Sequence, residues 1–247
     1  MKKKFIINYV CEVNYPNSSA YSIHVMKMCD AFSKFCDLNL FVPSSTNSFR
    51  SLKIDYKIKN KFNLIKIFDR RKNLNFFEKI LFSLKILGKN ENKLNLKSFY
   101  ISRSIVFAIV CNFYKKNIIL ELHHNLSGLT KFLYYTLSYT GLLNNIKYIF
   151  IHKNLIKSFN LNKTKYICLD DAVDINDFKV SKKINKIKNT CVYVGSFHGG
   201  KGIELIVELS KKLKNINFHL YGDRVFLKNF ISQKNIKIFG FFKYKNI

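Results

Sequence analysis

The chain has 247 residues, of which 43 are basic and 15 acidic, giving a formal net charge of +28 at pH 7. This length accommodates one large domain or two small ones, and a hydrophobic fraction of 48% is enough for a sizeable core. So positive a charge suggests a nucleic acid or an anionic membrane as partner. Only five basic residues are arginine, however, and the lysines are spread along the whole chain, in a composition that A/T-rich codons also produce. The sequence therefore predicts no nucleic-acid partner and favours an anionic membrane surface.

The six cysteines and the N-terminus indicate a cytoplasmic protein. No cysteine pair forms a C-x-x-C motif and several lie in apolar runs, so we expect reduced core residues rather than disulfides or zinc ligands. The first apolar run is interrupted by Asn8 and lacks a cleavage site, which is typical of a buried strand and not of a signal peptide. No segment reaches the roughly 18 apolar residues of a membrane span. We expect a cytoplasmic protein, with a peripheral place at the inner face of the membrane as a further option.

The N-terminal residues follow a β-loop-α-β pattern, as a Rossmann-like sheet does. A strand is predicted at residues 5–10, followed by a polar turn cluster. A helix with an apolar stripe is predicted at 22–35, with Ser22 as its N-cap. The next strand is predicted at 38–42, and the alternating residues 54–58 predict another.

Residues 76–87, FFEKILFSLKIL, predict a strongly apolar helix that also carries Lys79 and Lys85. Two interpretations remain open at this point. The helix is either a core element packed on the sheet, or a basic and apolar face that rests on a membrane. A strand at 99–103 and a helix at 105–113 follow.

A short buried strand at 117–120 runs directly into the polar residues Glu121, His123 and His124. Open α/β sheets bind their ligands at the carboxyl ends of parallel strands. His123 or His124 is therefore a candidate proton-handling or sugar-contacting group. Metal binding would need further ligands, and because the spacing suggests none, no metal site is predicted.

The rest of the first domain continues the alternation of helices and strands. The predicted helices are at 132–143 and 152–159, and the predicted strands at 148–151 and 166–169. An acidic turn follows, and beyond Phe178 the chain becomes lysine-rich and loses its apolar pattern. We therefore predict a first domain at 1–178, a linker at 179–189 and a second domain at 190–247.

Residues 190–223 predict a strand, a glycine-bearing loop, a helix and a second strand. The loop holds Gly195, Ser196, Lys201 and Gly202. A lysine beside the N–H groups of a helix N-terminus suits a phosphate or diphosphate. The glycine spacing is neither that of a Walker P-loop nor G-x-G-x-x-G, and an ordinary βα turn with glycines that relieve strain is the alternative.

The remaining residues predict a short helix that ends at Phe230 and a strand at 236–239. With so few elements, the second sheet has an exposed edge and an unfinished core. We expect this domain to be truncated or completed by another chain.

These motifs resemble the family 4 retaining glycosyltransferases, whose GT-B architecture has two Rossmann-like domains. The family has an apolar strand, then G-[RS], a variable loop and K-G-[IV] before a helix, and Gly195-Ser196 and Lys201-Gly202-Ile203 match those positions. Tyr221-Gly222-Asp223 is similar to the strand that ends in Gly-Asp, and Glu121-Leu122-His123 to the E-x-H on the acceptor side. Residues 171–174 with Phe178 are similar to G-V-D-x-x-x-F, and residues 22–25 to a subgroup of the family.

The resemblance implies an α/β fold of GT-B type, with parallel sheets in both Rossmann-like domains: the first on the acceptor side, the second on the donor side and incomplete. It implies transfer of a sugar from a nucleotide-sugar donor to an envelope polysaccharide or lipid-linked acceptor, with retention and without a metal or cofactor. The implied site residues are His123, as the catalytic residue that contacts the sugar, Gly195, Ser196, Lys201 and Gly202 at the donor diphosphate, and Gly222 and Asp223 in a donor-side loop.

The family's glutamate pair, E-x7-E, holds the donor ribose and sugar and would fall after Ile247. We therefore expect a C-terminally truncated chain, and inactivity of the chain alone stays open. The alternative is a non-catalytic remnant, or a nucleotide- or anion-binding module of the same fold. From the charge alone, a nucleic-acid-binding protein is a third hypothesis.

Overall fold

A computed structural model describes residues 5–69, 73–89, 98–159, 165–175, 187–222 and 233–241. The chain divides into two compact units, Met1–Ala172 and Val173–Ile247. The predicted linker at 179–189 lies outside the described residues except for 187–189, and so does the helix predicted to end at Phe230.

The first unit is built on a seven-stranded sheet in which all neighbouring strands are parallel. The strand order is β3-β2-β1-β4-β5-β6-β7, which places β1 and β4 next to each other at the centre. The strands are β1 (Ile6–Val10), β2 (Asp37–Val42), β3 (Asn63–Lys66), β4 (Ser98–Ser102), β5 (Ile118–Leu122), β6 (Ile146–Phe150) and β7 (Tyr166–Cys168).

Helices follow the strands in an alternating order. They are α1 (Ala20–Phe32), α2 (Phe49–Asp55), α3 (Phe76–Lys89), α4 (Ile105–Phe113), α5 (Gly128–Tyr139) and α6 (Lys153–Ile156). A parallel sheet with crossover helices buries both of its faces. The predicted α/β class with parallel strands is confirmed for this unit.

Two hydrophobic clusters cover the two faces of this sheet. Val10 and Phe41 belong to the cluster that includes α3, α4 and α5, whereas Tyr9 and Leu40 belong to the cluster that includes α1 and α2. Successive residues of a strand point to opposite faces, so this alternation along β1 and β2 places one cluster on each side.

Helix α1 is fixed at both ends by side-chain hydrogen bonds. Ser19 is its N-cap, because its side chain accepts a hydrogen bond from the backbone N–H of Ser22. The prediction of Ser22 as the cap was therefore wrong by three residues. Near the other end, the buried carboxylate of Asp30 accepts hydrogen bonds from the backbone N–H groups of Lys59 and Asn60, the latter at 2.7 Å.

Helix α3 packs on the core, as the first of its two interpretations predicts. Phe82, Ile86 and Leu87 are buried in the first hydrophobic cluster, and α3 packs against α4. Phe77, Leu81 and Leu84 on the same helix remain exposed.

The prediction of a strand at residues 54–58 was wrong. This segment contains the end of α2 and the turn after it. The alternating apolar residues were misleading, because burial here follows the helical spacing of Leu52 and Tyr56, and Ile54 is exposed. Strand β3 was not predicted, since its four residues carry two polar side chains and lie at the sheet edge.

The second unit has a three-stranded parallel sheet in the order β10-β9-β8. Its elements are β8 (Thr190–Val194), α7 (Ile203–Lys212), β9 (Asn217–Tyr221) and β10 (Ile236–Gly240). Its core consists of Phe197, Ile203, Val207, Phe218, Leu220 and Ile236. The predicted βαβ unit is therefore confirmed.

Among the helices in the described ranges, none combines the length and the apolar character that crossing a membrane requires.

Candidate functional site

A buried carboxylate lies at the carboxyl end of β5. Ile118, Leu120 and Leu122 of this strand point into the first hydrophobic cluster, so Glu121 faces the opposite side, where α1 and Tyr9 lie. Only 3% of the Glu121 side chain is exposed. A buried carboxylate is costly unless hydrogen-bond donors surround it.

Three donors surround Glu121. The Nε2 atom of His24, on α1, lies 2.8 Å from the Oε1 atom of Glu121. The Nε2 atom of His123, just beyond β5, contacts the same oxygen. The hydroxyl of Tyr9, on β1, donates to the other oxygen, Oε2, at 3.0 Å. The two imidazole rings meet edge to face, with centroids 4.9 Å apart and planes at 83°.

The electrostatics of the cluster favour an ionised Glu121. Burial alone would raise the pKa of Glu121, but the hydrogen bonds and charges of His123 and His24 outweigh burial and hold this pKa well below its usual range. Burial, followed by the neighbouring Glu121 charge, raises the pKa of Tyr9 well above its usual value, so its hydroxyl keeps its proton. An ionised carboxylate only accepts hydrogen bonds, so both Nε2 atoms carry a proton in this arrangement.

The second nitrogen of His24 faces another carboxylate. Its Nδ1 atom lies 3.8 Å from the Oδ1 atom of Asp171, whose side chain is exposed. His24 therefore lies between Glu121 on one side of its ring and Asp171 on the other.

The predicted residue His123 thus belongs to a cluster that the sequence did not reveal. His124, the alternative to His123, is exposed and lies outside this cluster. His24 and Tyr9 are separated from Glu121 by 97 and 112 positions, and only the fold brings them together. One ligand atom each from His24, Glu121 and His123 lie within 4.8 Å of one another, a grouping that the sequence spacing did not suggest. The absence of a bound metal or cofactor stays a prediction.

The glycine-bearing loop after β8 is the second candidate site. Gly200 and Gly202 have positive φ angles of 78° and 84°, and Gly202 is the N-cap of α7 without a side-chain capping bond. Because glycine has no side chain, Gly202 cannot accept a hydrogen bond from the N–H groups of the first turn of α7. Ser196 and Lys201 are exposed on this loop.

Two glycines allow the ends of β8 and β9 to approach closely. The backbone N–H of Gly195 donates to the Tyr221 carbonyl at 3.0 Å, and that of Gly222 donates to the Gly240 carbonyl at 2.9 Å. A Cβ atom at Gly222 would lie 1.9 Å from the Gly195 carbonyl oxygen and 2.9 Å from the Phe197 ring. Phe197 is buried and anchors the loop in the core. Asp223 lies outside the described residues.

The fold is similar to those of several proteins of known structure. A glycosyltransferase from Rickettsia africae ESF-5 is similar with a TM-score of 0.66 at 15% identity, over 98% of this chain and 70% of that one. WaaG, a glycosyltransferase involved in lipopolysaccharide biosynthesis, gives 0.60 at 11% identity over 96% and 70%. The UDP-N-acetylglucosamine 2-epimerase of Rickettsia bellii gives 0.55 at 10% identity over 98% and 70%.

No protein-family model matches the chain, and no curated protein matches its sequence. At these identities the structural likeness shows the fold. The predicted α/β fold of GT-B type, with Rossmann-like units, is thereby confirmed.

The ionisation of Glu121 predicts a pH-dependent contribution to stability. Because its folded pKa is lowered, the unfolded chain takes up the proton first, from about pH 5 downward. The contribution is fully present at neutral pH and is lost as the pH falls, at up to about 1.4 kcal/mol per pH unit. We expect Glu121→Gln to remove this pH-dependent contribution to the unfolding free energy. The difference in unfolding free energy between wild type and variant, measured by urea titration, should therefore shrink from pH 6 to pH 3. Glu208→Gln, at an exposed glutamate of α7, is the control. A difference independent of pH would contradict this assignment.

The close approach at Gly222 predicts that even one methyl group is disruptive. Because the new Cβ would meet a backbone oxygen at 1.9 Å, Gly222→Ala should destabilise the second unit by about 3 kcal/mol. The matched control is Gly88→Ala on α3, where nothing lies within 4 Å of the added Cβ, and this change should stabilise by about 0.5–1 kcal/mol. Denaturant unfolding measures both, and equal effects would show that the approach of Gly222 to Gly195 is unimportant.

Proposed function

We propose that the chain belongs to an enzyme that transfers a sugar from a nucleotide-sugar donor to a hydroxyl acceptor. The observation that carries this proposal is the Glu121–His123 pair, a buried carboxylate hydrogen-bonded to an imidazole at the carboxyl edge of the sheet. Ligands of open α/β sheets bind at that edge. The likeness to glycosyltransferases supports the class of reaction.

His123 is proposed to contact the transferred sugar. An imidazole that donates from Nε2 to Glu121 has its lone pair on Nδ1 when the ring is neutral. That nitrogen suits a sugar hydroxyl as its hydrogen-bond donor. The Glu121 carboxylate fixes both the ring and its tautomer, as carboxylate partners of catalytic histidines do. Tyr9 holds Glu121 in turn.

The loop of the second unit is proposed to bind the donor diphosphate. Gly195, Ser196 and Gly202 let a phosphate approach the backbone, and Lys201 with the first N–H groups of α7 would neutralise the departing diphosphate. Such a site needs no metal, in keeping with retaining, metal-independent transfer. Gly222 and Asp223 are proposed to complete this donor side. An envelope polysaccharide or a lipid-linked glycan is proposed as the acceptor, which the likeness to WaaG supports.

Binding of UDP tests the donor site. We expect calorimetry to show UDP binding that Lys201→Ala weakens about 10- to 100-fold, since a charge-assisted hydrogen bond contributes about 1.5–3 kcal/mol. Lys211→Ala removes the same charge from the last turn of α7, about 12 Å along the axis from its first residue, and should leave binding unchanged. His123→Ala should bind UDP normally but lose release of UDP from a UDP-sugar incubated with a glycan acceptor.

Three outcomes separate the alternatives. If neither UDP nor GDP binds, the enzyme proposal fails for this chain. If UDP binds without any turnover, the chain is a nucleotide-binding module of the same fold. If the nucleotide-sugar stays intact but its sugar changes, the activity is isomerisation, as the names of the 2-epimerases indicate for those proteins.

A peripheral place on an anionic membrane is also proposed. Helix α5 exposes Leu129 (62%), Phe132 (70%) and Tyr139 (95%), which recur at helical spacing on one face of a strongly cationic chain. Apolar side chains on one helix face insert into the interface, while lysines are drawn to anionic lipids.

Vesicle sedimentation tests this membrane proposal. We expect binding to phosphatidylglycerol vesicles, weakened by salt and lowered about 10-fold by Phe132→Ser, because a buried phenylalanine contributes about 1.5–3 kcal/mol. Phe35→Ser removes an equally exposed phenylalanine outside α5 and serves as the control. Equal binding to phosphatidylcholine vesicles, or equal loss in both variants, would contradict the proposal.

A further inference from the structure

Arg103 lies at the point of the first sheet where open α/β folds bind their ligands. The strand order β3-β2-β1-β4-β5-β6-β7 reverses its direction between β1 and β4. The loops that leave two such strands diverge, and ligands occupy the crevice between them. Arg103 comes directly after β4, and Glu12 lies in the loop after β1. These two residues therefore border the crevice.

The backbone on both sides of Arg103 is held by serine hydroxyls. The Ser102 hydroxyl donates to the Val10 carbonyl at 2.9 Å and accepts the backbone N–H of Ser104 at 3.0 Å. The Ser104 hydroxyl, at the N-cap of α4, accepts the backbone N–H of Phe107 at 3.1 Å. Arg103 is thus presented from a fixed turn, which lowers the entropic cost of ordering it around a ligand.

The ring of Tyr21 orients the guanidinium of Arg103. The guanidinium carbon lies 4.4 Å from the centroid of this ring, which is a cation–π contact. Such a contact holds the charge in place without a hydrogen-bond acceptor. Within the described part of the chain, the guanidinium donates no hydrogen bond. Its fork of N–H donors is therefore available to an oxyanion.

The carboxylate of Glu12 is occupied by other partners. Its Oε2 atom lies 2.7 Å from the ammonium of Lys79 on α3, and its Oε1 atom accepts the Ser104 hydroxyl. Among the residues that the structure describes, no carboxylate forms an ion pair with Arg103. The positive charge of Arg103 is therefore left for a ligand.

We propose that Arg103 binds a phosphate group of the acceptor in the proposed sugar transfer, and this inference rests on that proposed function. The guanidinium fork matches two phosphate oxygens, and such paired, charge-assisted hydrogen bonds are among the strongest in proteins. Only five of the 43 basic residues are arginine, so composition alone would place a lysine here.

Helix α1 brings the crevice next to the Glu121 cluster. Tyr21 and His24 are three residues apart on this helix, so their Cβ atoms lie about 5–6 Å apart on one face. Tyr21 contacts Arg103, and His24 contacts Glu121. The acceptor hydroxyl must reach the sugar that His123 is proposed to contact. A phosphate held at Arg103 places the acceptor beside that sugar.

Labelling with phenylglyoxal tests this assignment on the full chain without any nucleotide. The reagent modifies guanidinium groups, and mass spectrometry of a digest measures each arginine separately. We expect inorganic phosphate to protect Arg103, whereas chloride at the same ionic strength does not. Arg50, which is exposed on α2, is the internal control and should stay unprotected.

Variants of Tyr21 test how the guanidinium is oriented. Tyr21→Leu removes the ring and should raise the phosphate concentration that gives half protection about threefold to tenfold. Tyr21→Phe keeps the aromatic face and should have a smaller effect. An unchanged half-protection concentration in Tyr21→Leu counts against the proposal.

Turnover tests the role in acceptor binding. With a phosphorylated acceptor, Arg103→Ala should raise the acceptor KM about 10- to 100-fold, because it removes a charge-assisted hydrogen bond. The KM of the nucleotide-sugar should not change. Arg103→Lys keeps the charge without the fork and should lie between wild type and Arg103→Ala. Arg50→Ala is the matched control.

Two sources of this phosphate share the same chemistry, and the acceptor chosen distinguishes them. In a hexose 6-phosphate the phosphate belongs to the glycan. In a hexose joined through phosphate to an octyl chain, it belongs to the lipid linkage. The source that is bound is the acceptor whose KM depends on Arg103.

The proposal is overturned if inorganic phosphate protects Arg103 and Arg50 equally, or protects neither. It is also overturned if Arg103→Ala weakens UDP binding as strongly as Lys201→Ala does, because Arg103 would then serve the donor. A chain that binds neither UDP nor GDP contradicts the proposed sugar transfer instead, and labelling still decides whether Arg103 binds phosphate. Circular dichroism confirms that each variant is folded, and if Arg103→Ala unfolds, labelling of the wild type decides.

Discussion

The candidate site of the first unit depends on the hydrogen bonds that three side chains make to the buried Glu121 carboxylate. One buried anion accepts hydrogen bonds from β1 through Tyr9, from α1 through His24 and from the end of β5 through His123. A buried charge with fewer partners would be too costly to keep ionised. Once these partners are in place, the carboxylate holds both imidazoles against each other at the edge where such sheets bind ligands.

Much of the fold was predictable because its signals are local. The strands β1, β2, β4 and β5 are short apolar runs bounded by polar residues, and α3 and α4 are apolar segments longer than any strand of this sheet. The strand wrongly predicted at 54–58 shows the limit of judging structure from hydrophobic periodicity. Ile54, Tyr56 and Ile58 alternate as in a strand, but the buried pair Leu52 and Tyr56 has helical spacing. Ser19 was missed as the cap of α1 because Ser18, Ser19 and Ser22 all have the right chemistry.

The site was predictable only in part. His123 stood out because it follows a buried strand. His24 lies in the family-like segment 22–25, but no spacing in the sequence relates it to Glu121. Its neighbours Val25 and Met26 identify a buried helix face, and the contact with Glu121 exists only once α1 packs on the sheet. In the second unit, Gly195 and Gly222 could be recognised as turn residues. The close approach of the Gly222 backbone to the Gly195 carbonyl arises from tertiary structure and cannot be predicted from residue spacing.

Asp30 connects α1 to the loop before β3. Its carboxylate receives the backbone N–H groups of Lys59 and Asn60, and the Lys27 ammonium donates to the Lys57 carbonyl at 3.2 Å. These bonds tie α1 to the segment that leads into β3, at the outer edge of the sheet. His24 lies six residues earlier on the same helix, about 9 Å along its axis. Because a helix is stiff over this distance, the bonds between α1 and residues 57–60 help to fix the position of the His24 imidazole, together with the Ser19 cap at the other end. A substitution in that loop is therefore expected to alter the His24–Glu121 contact as well as the loop's own packing.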